Sequence, residues 1–180
     1  MKSQELIIHL DWSGPHSYAE VVDSFNKPTD HGIYQVYGAH HVYGSNVLLY
    51  IGKTEEQTFA ARFSKHLWCP GNHDFNQLQI YTGRLFGGLT PTSVTWNDHI
   101  DLAERLLIQV HKPAENSQLE LVKGRDVELQ HVHVLNWSQY RDLMPEVSGA
   151  RWSSRFDNLP CKPHFSTEEY PKEAPFDSEP

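Results

Sequence analysis

Two phenols, a guanidinium and a carboxylate stand in order along this 180-residue chain. They are Tyr34 in Gly32-Ile33-Tyr34, Tyr50 in Tyr50-Ile51-Gly52, Arg62 ten residues after Gly52, and Glu104 in Ala103-Glu104-Arg105-Leu106. Arg62 offers a planar fork that matches two phosphate oxygens. Glu104 is a single carboxylate at the edge of an otherwise apolar helical stripe. Burying it alone is expensive, so it calls for a cation or a basic partner. One carboxylate, waters and phosphate oxygens form a set that Mg²⁺ accepts. Tyr34 and Tyr50 can hydrogen-bond an attacking water or a phosphate. A phenol of pKa about 10 is a poor base unless cations lower it, and Lys53, Arg62 and a metal could do that. Phosphodiester hydrolysis needs these parts: an activated water, a counter-charge for the phosphorane and help for the leaving alkoxide.

The elements that must position these groups are legible from periodicity. Leu6–His9 reads as a short strand, followed by a turn cluster, Trp12-Ser13-Gly14-Pro15. Ser17 can cap a helix in which Tyr18, Val21, Val22 and Phe25 share a face. Residues 32–38 form a β-type run bounded by glycines, Val47–Ile51 forms a second, and the loop between them suggests an antiparallel hairpin. Period two puts Tyr34 with Val36 and Tyr50 with Leu48. Pairing 34 with 50 would place both phenols on one face. Gln57–Trp68 follows as a helix with Phe59, Phe63 and Leu67 as its apolar face and Arg62 and His66 at its margin. Leu78–Phe86 alternates as a third strand. The strongest helix, about 98–111, is capped by Asn97 or Asp98 and carries Ile100, Ala103, Leu106, Leu107 and Val110. Residues 120–137 suggest one more strand pair, with Val132, Val134 and Leu135 alternating against histidines.

This series resembles the GIY-YIG nuclease superfamily over about residues 31–120. Both name-giving tripeptides are present verbatim, Arg62 falls at the family's helix arginine, and the Glu104 segment looks like its metal-binding helix. Asn116, in Lys112-Pro113-Ala114-Glu115-Asn116, looks like its closing asparagine. The resemblance implies Tyr34 as general base, Glu104 as metal ligand and Arg62 on the scissile phosphate. Some restriction enzymes of the superfamily carry a histidine where His66 stands, so His66 could accept the phenol proton or orient Tyr34. Asn116 is expected to hold Glu104 and the C-terminal loop in place. The implied reaction is hydrolysis of nucleic acid, DNA first, with Mg²⁺ or Mn²⁺, leaving 5′-phosphate and 3′-hydroxyl ends. The implied fold class is α/β: a small, mainly antiparallel, three-stranded central sheet flanked by helices. Around the core (31–120) lie an N-terminal extension packed on it (1–30), a C-terminal elaboration (121–165) and an acidic tail (166–180), the last expected to be disordered.

Plainer readings stand beside these. Arg62 could pair with Glu55 or Glu56, Glu104 with a basic residue across the sheet, and His66 is one of twelve histidines. Lys53, Lys65 and Arg84 are candidate phosphate contacts, although a solvated strand face suits Arg84 equally. Gly32 and Gly52 support the hairpin. Cys69 with His73 and Cys161 with His164 contain the ligand types of a Cys₂His₂ zinc site, at spacings that coincidence also produces. A non-catalytic nucleic-acid- or protein-binding module on the same scaffold is the alternative function. A nuclease subunit directed by a protein partner at the acidic flanks is another.

The net charge of −8 argues against non-specific nucleic-acid or membrane binding for the whole chain. Residues 32–125, however, carry eight basic and eight acidic side chains, while 1–31 contribute −3 and 126–180 contribute −5. The acidity belongs to the flanks. No apolar run approaches the roughly 20 residues of a membrane span, no secretory h-region opens the chain, and two cysteines fit a reducing compartment. A cytoplasmic protein is expected. With Lys53, Arg62 and Lys65 clustered on a neutral core, non-specific DNA affinity should be weak and strongly salt-sensitive. Fluorescence anisotropy at low and moderate salt checks this, and affinity that hardly changes between them counts against it.

Overall fold

Period-two runs rich in Val, Ile and Tyr become strands, and the four-residue spacings become helices, as local patterning requires. The computed structural model describes residues 5–65, 74–86, 94–116 and 127–152. Its elements are β1 (Leu6–His16), α1 (Tyr18–Ser24), β2 (Ile33–His40), β3 (Gly44–Lys53), α2 (Phe59–Lys65), β4 (Gln79–Leu85), α3 (Val94–His111), β5 (Val132–Ser138) and β6 (Glu146–Ser148). Among the described residues no helix is long and apolar enough to cross a membrane.

The fold is α/β, but the sheet is larger than a three-stranded core. It has six strands in the order β3-β2-β4-β1-β5-β6. The expected strands β2, β3 and β4 are its antiparallel end. β1 extends it, antiparallel to β4 and parallel to β5, and β6 closes the far side. The N-terminal segment is therefore a strand within the sheet. β1 also runs past the expected Leu6–His9. The cluster at 12–15 is no turn: the strand continues to His16 with an irregular register between Ser13 and His16, which accommodates Pro15 without a ladder donor. The strand pair expected in 120–137 is likewise different. Val127–His131 is a 3₁₀ helix, and β5 takes its partners from β1 and β6.

Two cores fill the two faces of the sheet. Ile8, Leu10, Trp12, Ile33, Tyr37, Ile51, Val132 and Val134 pack with the α3 stripe of Ile100, Ala103, Leu106 and Leu107. Ile108, outside the expected stripe, is buried there too. On the other face Tyr34, Val36, Leu49 and Ile80 pack with Val21 of α1 and with Phe59 and Phe63 of α2. Ser17 caps α1 through a capping box with Glu20. α2 begins at Phe59 instead of Gln57, with the Thr58 hydroxyl accepting from the Ala61 N–H at 3.2 Å. α3 begins at Val94, so Asn97 and Asp98 lie inside its first turns and cap nothing.

The outer edge of β3 is covered in part by the segment after α3. Ala114 and Glu115 N–H groups donate to the carbonyls of Leu48 and Leu49 at 3.1 and 2.9 Å. Asn116, 5% exposed, continues the ladder with its side chain: Oδ1 accepts from the Ile51 N–H at 2.9 Å and Nδ2 donates to the Ile51 carbonyl at 2.8 Å. It clasps the Tyr50-Ile51-Gly52 segment; the expected hold on Glu104 is exerted at most through this strand. Asn116→Ala strands two buried backbone groups and should lower stability by about 1–3 kcal/mol in urea denaturation. A loss below about 0.5 kcal/mol would show that water replaces the amide there.

Candidate active site

The hairpin register differs by two residues from a direct pairing of 34 with 50. Tyr34 lies opposite Gly52, and Val36 lies opposite Tyr50. The parity is unchanged, so both phenols share a face, with ring centroids 6.1 Å apart and planes inclined by 28°. The register shifts next to this pair: Tyr37 lies opposite Leu48, leaving Leu49 as the extra residue of a bulge. Leu49 and Tyr50 consequently both join the α2 face, whereas Leu48 packs against the α3 core. The expected sharing of a face by Tyr50 and Leu48 is overturned by that one residue.

Gly32 and Gly52 of the hairpin have steric reasons. A Cβ on Gly52 would stand 2.5 Å from the Tyr50 ring and 2.6 Å from the Tyr34 hydroxyl. Gly32 has φ +150°, and a Cβ there would stand 2.0 Å from the Gly83 carbonyl oxygen. Thr54 completes this end of the hairpin, its N–H donating to the Gly32 carbonyl and its hydroxyl accepting from the Gly32 N–H, each at 2.8 Å.

Phe59 and Phe63 dock α2 on this face and leave Arg62 at its margin. The Arg62 Nε donates to the Tyr34 hydroxyl at 3.5 Å. Tyr34 is 1% exposed. Burial pushes its pKa up to about 12, the Arg62 hydrogen bond pulling the other way and the charges of Tyr50 and Glu104 adding to the rise. Tyr50 is raised too, by burial first and then by Glu104. Arg62, one of the cations expected to lower the phenols, is thus outweighed by desolvation.

Glu104 is 8% exposed on α3. Its pKa is pushed up to about 7, chiefly by burial; Lys53 opposes the rise, Asp101 and Glu55 reinforce it, and Arg62 opposes it. Its ion pair with Lys53 is 3.8 Å long, beyond a good hydrogen bond. Lys53 is held more closely by Glu55 and Asp101. Asp101 in turn binds Arg105 at 3.2 Å, and Arg105 binds Glu128 at 2.8 Å. Asp101 is a site residue that sequence reading missed. The available signal was its position three residues before Glu104, which puts both carboxylates on one side of α3.

The remaining candidates separate. Arg84 pairs with the buried Asp30 at 2.8 Å and lies over the Phe25 and Phe59 rings, so its charge is engaged within the fold. Lys65 ends the described part of α2 and is exposed. His66, Cys69, His73, Cys161 and His164 lie outside the described residues, as does the 166–180 tail. Among the described residues no group of three or more His, Cys, Asp or Glu is arranged to hold a metal. A buried carboxylate with one long ion pair nevertheless suits a cation that takes few protein ligands and keeps its waters, which describes Mg²⁺. No protein-family model, no curated protein and no solved structure matches this chain.

A raised carboxyl pKa has a definite sign in stability. Between the unfolded value of 4.5 and about 7 the folded state holds the Glu104 proton more tightly, so its contribution falls as pH rises through that window. Glu104→Gln should therefore gain about 1–3 kcal/mol relative to the parent between pH 4.5 and pH 8. Urea melts at both pH values measure the difference; a difference independent of pH would mean that burial does not destabilise this charge.

Proposed function

We propose that this chain is a divalent-cation-dependent endonuclease that hydrolyses phosphodiester bonds of nucleic acid, with DNA as the substrate, in the manner of the GIY-YIG superfamily. The observation that carries the reading is the convergence of Tyr34, Tyr50, Arg62 and Glu104 from β2, β3, α2 and α3. The Arg62 guanidinium reaches the Tyr34 hydroxyl at 3.5 Å, and the Glu104 charge acts on both phenols. The antiparallel β3-β2-β4 end of the sheet serves as the nuclease-like core, and the remaining strands elaborate it.

In this reading the phosphate takes the Arg62 fork, which releases the Tyr34 hydroxyl to hydrogen-bond the attacking water. Tyr50 orients the water or a non-bridging oxygen. At a pKa near 12 Tyr34 orients and does not abstract; it serves as general base only where positive charge is brought beside it. Glu104 would hold Mg²⁺ or Mn²⁺, which supplies charge stabilisation to the phosphate and the leaving oxygen. Lys65 and His66 follow Arg62 on the same stretch, Lys65 as a phosphate contact and His66 as a partner of Tyr34. The products carry 5′-phosphate and 3′-hydroxyl ends, and the low cysteine content suits a cytoplasmic enzyme.

A second reading keeps the scaffold and drops the chemistry: a nucleic-acid- or protein-binding module, or a subunit activated by a partner. The engagement of Lys53 with Asp101, Glu55 and Glu104 favours it, because Glu104 then already has a counter-charge. Supercoiled plasmid, single-stranded DNA and RNA incubated with Mg²⁺ or Mn²⁺ separate the two. The parent should cleave DNA, and Arg62→Ala and Glu104→Ala should each lose about 10²–10³-fold or more. Equal cleavage by all three proteins would sink the proposed site, and no cleavage of any substrate would favour the binding module.

A further inference from the structure

The face of the sheet that carries the phenols is covered over one half only. Tyr34, Thr82 and Ser13 lie side by side across β2, β4 and β1, and α1 and α2 pack over the β3-β2-β4 part of that face. Alternation continues the same face through Ile7, His9 and Asp11 of β1 and their partners His133, Leu135 and Trp137 of β5. This half is open: Ile7 is 54% exposed and Trp137 50%, and Phe86, whose N–H donates to the His9 carbonyl just after β4, is 68% exposed. On it the indole of Trp137 and the imidazole of His9 form one unit. The Trp137 Nε1–H donates to His9 Nδ1 at 3.1 Å, with the ring planes inclined by 10° and the centroids 6.0 Å apart. The donor N–H and the acceptor lone pair each lie in their own ring plane. With the planes so close to parallel, the rings stand edge to edge as a single flat surface. Indole alone, a fused five- and six-membered ring system, has the outline of a purine.

The charged groups around this surface do not draw a phosphate. Asp11 accepts from the Ser138 hydroxyl at 2.6 Å, Glu5 is shared by His131 and His133, and Arg84 is bound to Asp30. What the surface offers is ring area, and every base has a π-face to lay on it. A base is free to do so only outside a duplex, where its faces are not already covered by stacked neighbours. We propose that the Trp137–His9 pair is a stacking platform for an unpaired base of the nucleic-acid substrate, with Phe86 as a second ring beside it, so that the protein acts on single-stranded or locally opened nucleic acid. The inference rests on the nucleic-acid substrate of the proposed function and narrows its class. Trp137 stands three strands from Tyr34 across the sheet and two residues along it. That is about 15 Å at a strand spacing of about 4.8 Å, a distance that a few nucleotides of an unpaired strand span. The bases face the rings, and the phosphates point to solvent, away from Asp11 and Glu5.

The test uses the full chain without divalent cation, so that binding is read apart from cleavage. A short fluorescein-labelled DNA strand with no self-complementarity, and the same strand annealed to its complement, are titrated by anisotropy. The proteins are the parent, Trp137→Ala and Trp137→Phe, each checked for folding by circular dichroism. The parent should prefer the single strand, and Trp137→Ala should bind it about tenfold more weakly. Trp137→Phe keeps a ring to stack on and should recover most of that loss. The loss should be the same at low and moderate salt, because no phosphate contact is removed. On the parent, the Trp137 indole N–H resonance should shift as the single strand is added, while those of the buried Trp12 and Trp96 stay in place. This second reading does not depend on the folding of Trp137→Ala. Single-strand binding by Trp137→Ala as tight as the parent's, or an indole resonance indifferent to the strand, would overturn the platform. A parent that binds no single strand yet cleaves duplex through Arg62 and Glu104 would overturn the platform and leave the proposed function standing. A parent that neither binds nor cleaves any nucleic acid would overturn both. Self-association in sedimentation that Trp137→Ala abolishes, without oligonucleotide binding, would give the face to a second copy of the chain instead.

Discussion

β2 is hydrogen-bonded on both edges and covered on both faces, and that double confinement governs the molecule. Its pairing with β3 and β4 fixes each residue's height, and alternation sends Ile33 and Tyr37 to the α3 core and Tyr34 and Val36 to the α2 core. No side chain on the strand can then change sides without emptying one core and overfilling the other. Tyr34 is therefore placed by packing before any chemistry is asked of it. The glycine opposite it, Gly52, keeps the space into which both phenols fit.

The confinement that orients the phenols also sets their acidity. A hydroxyl at 1% exposure has lost its water, and the arginine beside it does not restore that solvation. Glu104 meets the same physics with the opposite consequence. Burial makes its charge costly, which raises its affinity for a proton or for any cation that can enter. The lysine that answers this charge does so at 3.8 Å while bonding more closely to two other carboxylates. The Glu104 charge is thus answered by a cation that other carboxylates hold more closely.

The reading of the sequence succeeded where evidence was local. Ser17 caps α1 as expected, Phe59 and Phe63 dock α2, and Ile100 through Leu107 bury one side of α3. It went astray where partners are distant in the chain. Nothing near Leu6 announces that β1 will lie between β4 and β5, because parallel pairing with residues 132–138 is settled by the sheet as a whole. Nothing near Arg84 announces Asp30 and two phenylalanine rings. The α3 start was missed because Asn97 and Asp98 carry a capping preference that tertiary packing of Trp96 overrides.

The sequence by itself determined the cast and its order: two phenols in a glycine-bounded hairpin, an arginine on a short helix, a carboxylate on a long apolar one. Those assignments depend on periods of two and 3.6, which a few neighbouring residues set. Only the tertiary structure decided the hairpin register, the bulge that parts Tyr50 from Leu48, the clasp of Asn116 on Ile51, and the capture of Lys53 by Asp101. Each of these joins groups whose separation in space is unrelated to their separation along the chain. Charge is also a property of surroundings: the same Glu104 is an ordinary carboxylate in the sequence and a strained one once α3 has buried it.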